Sequence, residues 1–317
     1  MSPGEPLPRR VAVVGAGTMG AGIGLSFALA GASVTVFSRS EGTLARARRQ
    51  IDSSLALLVG HRRLESAEAA GAIARIALST ELADAVAGSG LVVESVVEDL
   101  EAKQGVLTEV ASFAPMDAVI ATNTSSLPLD ALARAVARPQ RFAAMHWFNP
   151  PELVQLVELA GAPDTASTTI ERLAAWALAA GKRPIRIARP VVGLVANRLQ
   201  YALMREAYAL VSAGVCDFDA IDTAVTAGLG PRWAAVGPIE SMDLAGLDVH
   251  LAVAGELFPT LDAAIEAPDV VRDAVREGRL GAKSGAGLRG SYDETRIESI
   301  ARRRAQLLLS AAESASG

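Results

Sequence analysis

Three observations predict an α/β fold: an N-terminal, doubly wound sheet followed by an all-α region. A short apolar run, Val11 to Val14, enters the glycine turn Gly15-Ala16-Gly17-Thr18-Met19-Gly20, and a second apolar run follows at residues 33–37. Apolar strand candidates then alternate with helical stretches as far as Ile187, the pattern of a parallel sheet covered by helices. Beyond Pro190 helical periodicity takes over and no strand pattern returns. The boundary is therefore set near Arg189-Pro190, giving a dinucleotide-binding domain over 1–189 and a helical domain over 190–317.

Each early element has a physical reason. Val11 to Val14 is apolar throughout, as suits a parallel strand buried on both faces. In the G-x-G-x-x-G turn Gly15 permits the tight bend, Gly17 lets backbone approach a pyrophosphate, and Gly20 lets helix pack close to strand. Residues 18–30 read as a helix stopped by Gly31, and the free amides at its start, from Thr18 and Met19 onward, are suited to an anion. Strand, turn, helix and second strand in this order mark a Rossmann-type nucleotide site rather than a packing loop. The first eight residues read as a loose, proline-containing tail.

The tip of the second strand bears on the choice of cofactor. A carboxylate there would receive the adenosine ribose 2′-hydroxyl and repel a 2′-phosphate. The sequence has Ser38 and Arg39 instead: a neutral hydrogen-bonding group and a guanidinium able to hold phosphate through two bonds. This favours NADP(H), with NAD(H) as the alternative; Glu41 nearby weighs slightly the other way.

Further strands are expected at 74–78, 91–94, 118–122, 142–146, 154–159 and 184–187, with helices at 43–59, 66–70, 100–112 and 167–180 between them. In the second domain, helices are expected at 195–212, 217–227 and 238–257.

Composition narrows the function classes. Of 317 residues half are apolar and only 4% aromatic, so the core must be built mostly from Ala, Val, Leu and Ile. The net charge of −5 is spread along the chain, with neither a basic stripe for nucleic acid nor an acidic tail. Cys216 is the single cysteine, which excludes an intrachain disulfide and suits a reducing, cytoplasmic setting. Residues 11–38 carry no charge and follow Arg9-Arg10, the outline of an export signal or membrane span. Six glycines interrupt that run, and it divides into strand, loop, helix and strand, so no membrane role is expected. No metal site is expected either.

The chemistry concentrates between Asn123 and Ala160. His146 ends one strand candidate and Glu158 lies in the next, so adjacent strands could pair imidazole with carboxylate where α/β sheets bind ligands. An imidazole so held gives and takes protons near neutral pH; taken alone, one histidine is better explained as a satisfied structural residue. His61 and His250 read as structural or surface residues. Ser125, in Asn123-Thr124-Ser125-Ser126, reads on its own as part of a helix-capping cluster before Leu127.

The stretches VAVVGAGTMGAGI, VESVVEDLEAK, NTSSLP, HWFNPPELVQLVEL, GLVANRL and GPRWAAVGPIESMDLAGLD, in this order, resemble the 3-hydroxyacyl-CoA dehydrogenase family over nearly the whole chain. The resemblance implies a Rossmann domain and a helical domain that usually dimerises, with the active site between them. It makes His146 the general acid/base and Glu158 its orienting carboxylate, with Ser125 and Asn197 on the substrate oxygen. It places Glu98, Lys103 and Asn123 beside the nicotinamide and its ribose. Departures touch cofactor and substrate: Ser38-Arg39 at the strand tip, Arg62-Arg63 in place of a lysine-rich stretch, and Leu288 in GAKSGAGLRGSYDE where an aromatic is usual. Trp233 and its neighbours are similar to the branch containing lambda-crystallin and gulonate dehydrogenase.

The activity expected is NADP(H)-dependent interconversion of a β-keto and a 3-hydroxyacyl substrate, in the reductive direction. Alternatives are a polyketide-tailoring ketoreductase acting on a bulky β-keto acid, or a dehydrogenase of a free hydroxy acid of the gulonate or carnitine kind. The last would need a cation such as Arg198 or Arg232 for the carboxylate. A catalytically silent, crystallin-like structural protein is the alternative from another class.

Overall fold

The computed structural model describes residues 6–314. It divides into two compact units, Met1–Asn197 and Arg198–Gly317. In the first unit the elements run β1 (Arg10–Val14), α1 (Thr18–Leu29), β2 (Ser33–Phe37), α2 (Glu41–Gly60), α3 (Ser66–Ala74), β3 (Ile76–Ser79), α4 (Leu82–Val86), β4 (Leu91–Glu94), α5 (Leu100–Phe113) and β5 (Val119–Thr122). They continue with α6 (Leu129–Ala133), β6 (Phe142–Trp147), β7 (Leu156–Gly161), α7 (Ser167–Ala179), β8 (Arg183–Ile187) and the start of α8 (Ala196–Ser212). The eight strands form one sheet in the order β3-β2-β1-β4-β5-β6-β7-β8. The order reverses between β1 and β4, the place where open α/β sheets bind ligands.

Alternate residues of β1 feed the two cores. Val11 and Val13 pack with Ile23, Phe27, Val36 and Trp147 on one face, and Ala12 and Val14 with Leu107, Ile120 and Phe142 on the other. Both faces are covered, so the apolar runs need no polar alternation. Gly31 takes φ +97 just after α1, as its stop role demands.

The structure corrects the sequence reading in four places. The sheet is not wholly parallel: β7 runs antiparallel to β6, pairing His146 with Glu158 directly. The connection from Phe148 to Gln155 is too short for a parallel crossover, which needs about a dozen residues. The N-terminal tail is packed where it is described: Trp176 Nε1 donates to the Pro6 carbonyl (3.0 Å) and Leu7 lies against the core; residues 1–5 lie outside the described residues. The helix expected over 238–257 is two helices, broken at Gly246, whose φ of +98 no helix allows. Strand structure does return after Pro190, as a minimal hairpin, β9 (Ala286–Gly287) with β10 (Gly290–Ser291).

The second unit is otherwise helical: the rest of α8, then α9 (Phe218–Thr223), a π-turn (Ala224–Leu229), α10 (Gly230–Val236), α11 (Pro238–Ala245), α12 (Leu247–Leu257), α13 (Asp269–Arg276) and α14 (Glu294–Ser314). The division between units falls in the first turn of α8. Leu194 is buried in the sheet unit's core, and the next two amides are bound by Glu158 of that unit. No helix among the described residues is long and apolar enough to cross a membrane.

Candidate active site

His146 and Glu158 are cross-strand partners on β6 and β7, so the sheet itself sets their separation. His146 Nδ1 lies 2.8 Å from Glu158 Oε2, and Nε2 lies 3.2 Å from Ser125 Oγ. Glu158 is fully buried and uses both oxygens: Oε1 accepts from the amides of Val195 (3.0 Å) and Ala196 (2.9 Å). The carboxylate thus occupies the N-terminus of α8, where free amides and the helix dipole favour an anion. Burial alone would raise its pKa, but the hydrogen bonds from His146, Ala196 and Val195, with the imidazole's charge, hold it below the usual carboxylate range. The result is a continuous chain from helix terminus through carboxylate and imidazole to the Ser125 hydroxyl. Asn197 is the next residue of α8 and is half-buried.

A second carboxylate orders the loop that carries Ser125. Glu98 Oε1 accepts from Thr124 Oγ1 (2.7 Å), the amides of Ser125 (2.8 Å) and Ser126 (3.0 Å), and Ser126 Oγ (3.2 Å). Its partial burial would raise its pKa, yet the bonds from Thr124 and Ser125, the charge of Lys103 and the Ser126 amide lower it on balance. Asn123 ties the same loop to the histidine strand: Oδ1 accepts from the Trp147 amide (2.8 Å) and Nδ2 donates to Ser95 Oγ (3.3 Å). Lys103, at 1% exposure, is no solvated helix-face residue. Its ammonium donates to Glu94 Oε1 (2.7 Å) and the Val96 carbonyl (3.3 Å) and lies 3.5 Å from Glu98. Glu94 is satisfied in turn by the Val96 amide (2.6 Å) and Thr122 Oγ1 (2.6 Å), as a buried ion pair requires.

The glycine turn fits a dinucleotide. Gly15 has φ +114, and a Cβ there would stand 2.4 Å from the Ser95 carbonyl; one on Gly20 would stand 1.8 Å from the Gly15 carbonyl. A Cβ on Gly17 would meet nothing within 4 Å, so the backbone over the helix start is open to a ligand. Gly17 is the N-cap of α1 and supplies no side chain to its first amides, and the first turn, with Thr18 exposed and Met19 half-buried, contains no acidic residue. Gln50 Nε2 braces the turn through the Thr18 carbonyl (2.8 Å). The Gly15 amide donates to the Phe37 carbonyl (2.9 Å), which brings the end of β2 beside the turn. There Ser38 Oγ accepts from the Ser40 amide (3.3 Å), and Arg39 is exposed.

Comparison with known proteins identifies the family. The family profile for the 3-hydroxyacyl-CoA dehydrogenase NAD-binding domain matches residues 10–190, and that for the 3-hydroxyacyl-CoA dehydrogenase C-terminal domain matches residues 193–290. The chain belongs to the 3-hydroxyacyl-CoA dehydrogenase family. It is similar to a 3-hydroxybutyryl-CoA dehydrogenase of Mycobacterium tuberculosis, 35% identical over 88% of this chain and 97% of that protein. It is also similar to an L-carnitine dehydrogenase of Streptomyces griseus, 36% identical over 85% and 82% of the two chains. A crystal structure of 5-formyl-3-hydroxy-2-methylpyridine 4-carboxylic acid 5-dehydrogenase superposes with a TM-score of 0.89 at 30% identity, covering 95% of this chain and 96% of that one. Membership makes the protein an oxidoreductase with a nicotinamide-binding domain.

For this family member the structure brings Ser125, His146 and Glu158 into one hydrogen-bonded chain and links Glu98, Lys103 and Asn123 into the network beside it. Sequence reasoning missed Glu94, Thr122 and Thr124, which satisfy Lys103 and Glu98. The one signal for Glu94 is an acidic residue closing the apolar run Leu91-Val92-Val93. It also missed the amides of Val195 and Ala196, since backbone donors leave no trace in residue identity.

Proposed function

We propose that the protein is an NADP(H)-linked enzyme that reduces a β-keto acyl group to the 3-hydroxy acyl group. The observation that carries this reading is the Ser125–His146–Glu158 chain, ending in a serine hydroxyl and an imidazole nitrogen 3.2 Å apart. A carbonyl oxygen placed against both atoms would meet a hydrogen-bond donor and a proton source together. When bound, the nicotinamide supplies the hydride. As charge develops on the oxygen, Ser125 Oγ donates to it and His146 Nε2 delivers the proton. Glu158, fixed by the α8 amides, keeps Nδ1 protonated and the ring aimed. Asn197 is a second donor to the substrate oxygen. Glu98 and Asn123 line the nicotinamide side, with the buried Lys103 behind Glu98, and Gly15, Gly17, Thr18, Met19 and Gly20 hold the pyrophosphate.

Ser38 and Arg39 support NADP(H), because no carboxylate stands at the tip of β2 to repel a 2′-phosphate. Cells usually hold that pool reduced, which favours the reductive direction. The helical unit exposes Ile239, Leu244, Leu247, Leu251 and Phe258 along α11, α12 and the turn that follows, which supports a homodimer built on that face. A cytoplasmic setting suits the free Cys216. The second reading, a free hydroxy acid as substrate, draws support from the likeness to L-carnitine dehydrogenase. A silent structural protein would have no use for a buried, fully satisfied proton chain.

The test is the initial rate with NADPH and NADH run in parallel on parent and Ser38→Asp. The parent should prefer NADPH, and Ser38→Asp should shift preference towards NADH by about tenfold or more, the loss of one charge-assisted phosphate contact. Unchanged preference would sink the assignment of the β2 tip.

A further inference from the structure

We propose that the apolar cavity beside Ser125 receives the alkyl end of the acyl substrate, so that chains longer than four carbons are preferred; this rests on the β-keto acyl reading above. The cavity has a volume of about 400 Å³, within the roughly 300–1,000 Å³ of small-molecule sites. Its walls are largely apolar: Leu127, Pro128, Leu129, Pro163, Val191 and Val192. Two lining residues tie it to the proton chain. Ser125 is hydrogen-bonded to His146, and Ala144 precedes His146 by two on β6, hence on the same face of the sheet. A carbonyl oxygen held between Ser125 Oγ and His146 Nε2 therefore has one of its two carbon substituents at the cavity, and the apolar lining suits the alkyl one rather than the thioester.

The lining also selects by charge. No lysine, arginine or histidine is among the lining residues, and the one ionised group, Asp130, is acidic and pairs with Arg134 at 3.2 Å. A carboxylate or a zwitterion placed there would lose water without gaining a cation. A saturated chain pays no such penalty, and each buried methylene should tighten binding about three- to fourfold. A four-carbon acyl group, whose terminal methyl is the only carbon beyond the ketone, would leave most of the cavity empty.

The test uses the full chain and two thioesters without a 3-keto group, octanoyl-CoA and acetyl-CoA, titrated by calorimetry with and without saturating NADPH. Octanoyl-CoA should bind at least about tenfold tighter than acetyl-CoA. Val191→Trp, which fills the cavity, should bring the two within about twofold of each other. Should that variant fail to fold, Val192→Trp serves the same purpose. Equal affinity for the two thioesters in the parent, displacement of octanoyl-CoA by NADPH, or a chain-length preference that survives the tryptophan would each overturn the assignment. Tight octanoyl-CoA binding with no turnover of 3-ketooctanoyl-CoA would instead sink the proposed activity and leave the alkyl site standing.

Discussion

Glu158 serves two elements with one side chain. One oxygen fixes the imidazole and the other closes the start of α8, so geometry at His146 is coupled to the helix that carries Asn197. Glutamine at 158 can still accept from the α8 amides, but it turns an amide N–H towards Nδ1 and imposes the wrong tautomer. Glu158→Gln should therefore lower kcat by about 100-fold or more while circular dichroism keeps its helical signal; unchanged kcat would remove the orienting role. The pairing of His146 with Glu158 was legible in the sequence because each sits in a short apolar run that reads as a strand, and the two runs follow one another. The burial of Lys103 was not legible. Its place near the start of an amphipathic helix suggests solvent, and only the fold shows Glu94 and Thr122 from neighbouring strands closing around it.

At the scale of elements, the glycine turn was readable because its constraints are local. Gly20 is needed where helix crosses turn, since any Cβ would stand 1.8 Å from the Gly15 carbonyl, a backbone atom that cannot swing aside. Gly20→Ala should lower stability by about 1–3 kcal/mol, measured by denaturant unfolding, and weaken cofactor binding more than acyl-CoA binding. Equal stability and affinity would mean that the turn relaxes freely. The antiparallel β6–β7 pair was misread because strand patterns specify burial and not direction. Here the short Phe148–Gln155 link decides it. The break at Gly246 was hidden in a continuous apolar pattern, because periodicity does not reveal a positive φ.

Across the sheet unit, one buried cation joins the dinucleotide helix to the histidine strand. Lys182, just before β8, donates to the carbonyls of Pro151 (2.6 Å) and Val154 (3.2 Å) and lies 5.4 Å from the Trp147 ring centre. Pro151 and Glu152 press on Gly22 of α1, and Glu152 accepts from Ser54 of α2 (2.6 Å). Burial, partly offset by the charge of Glu152, lowers Lys182 to about 8. The unfolded chain holds that proton to about pH 10.4. Between those values the unfolded state binds more protons, so stability should rise with pH, by up to about 3 kcal/mol. Lys182→Met should flatten that rise relative to the parent; an identical slope in both proteins would contradict the lowered value. No part of this network is visible in the sequence, because Gly22, Ser54, Glu152 and Lys182 meet only once the sheet is assembled.

The central claim is that His146 moves the proton in a carbonyl reduction. It is tested most directly by the initial rate of acetoacetyl-CoA reduction with saturating NADPH, parent against His146→Gln. The account predicts turnover by the parent and a rate lower by about 100-fold or more in the variant, with NADPH affinity retained. A variant as fast as the parent would contradict it.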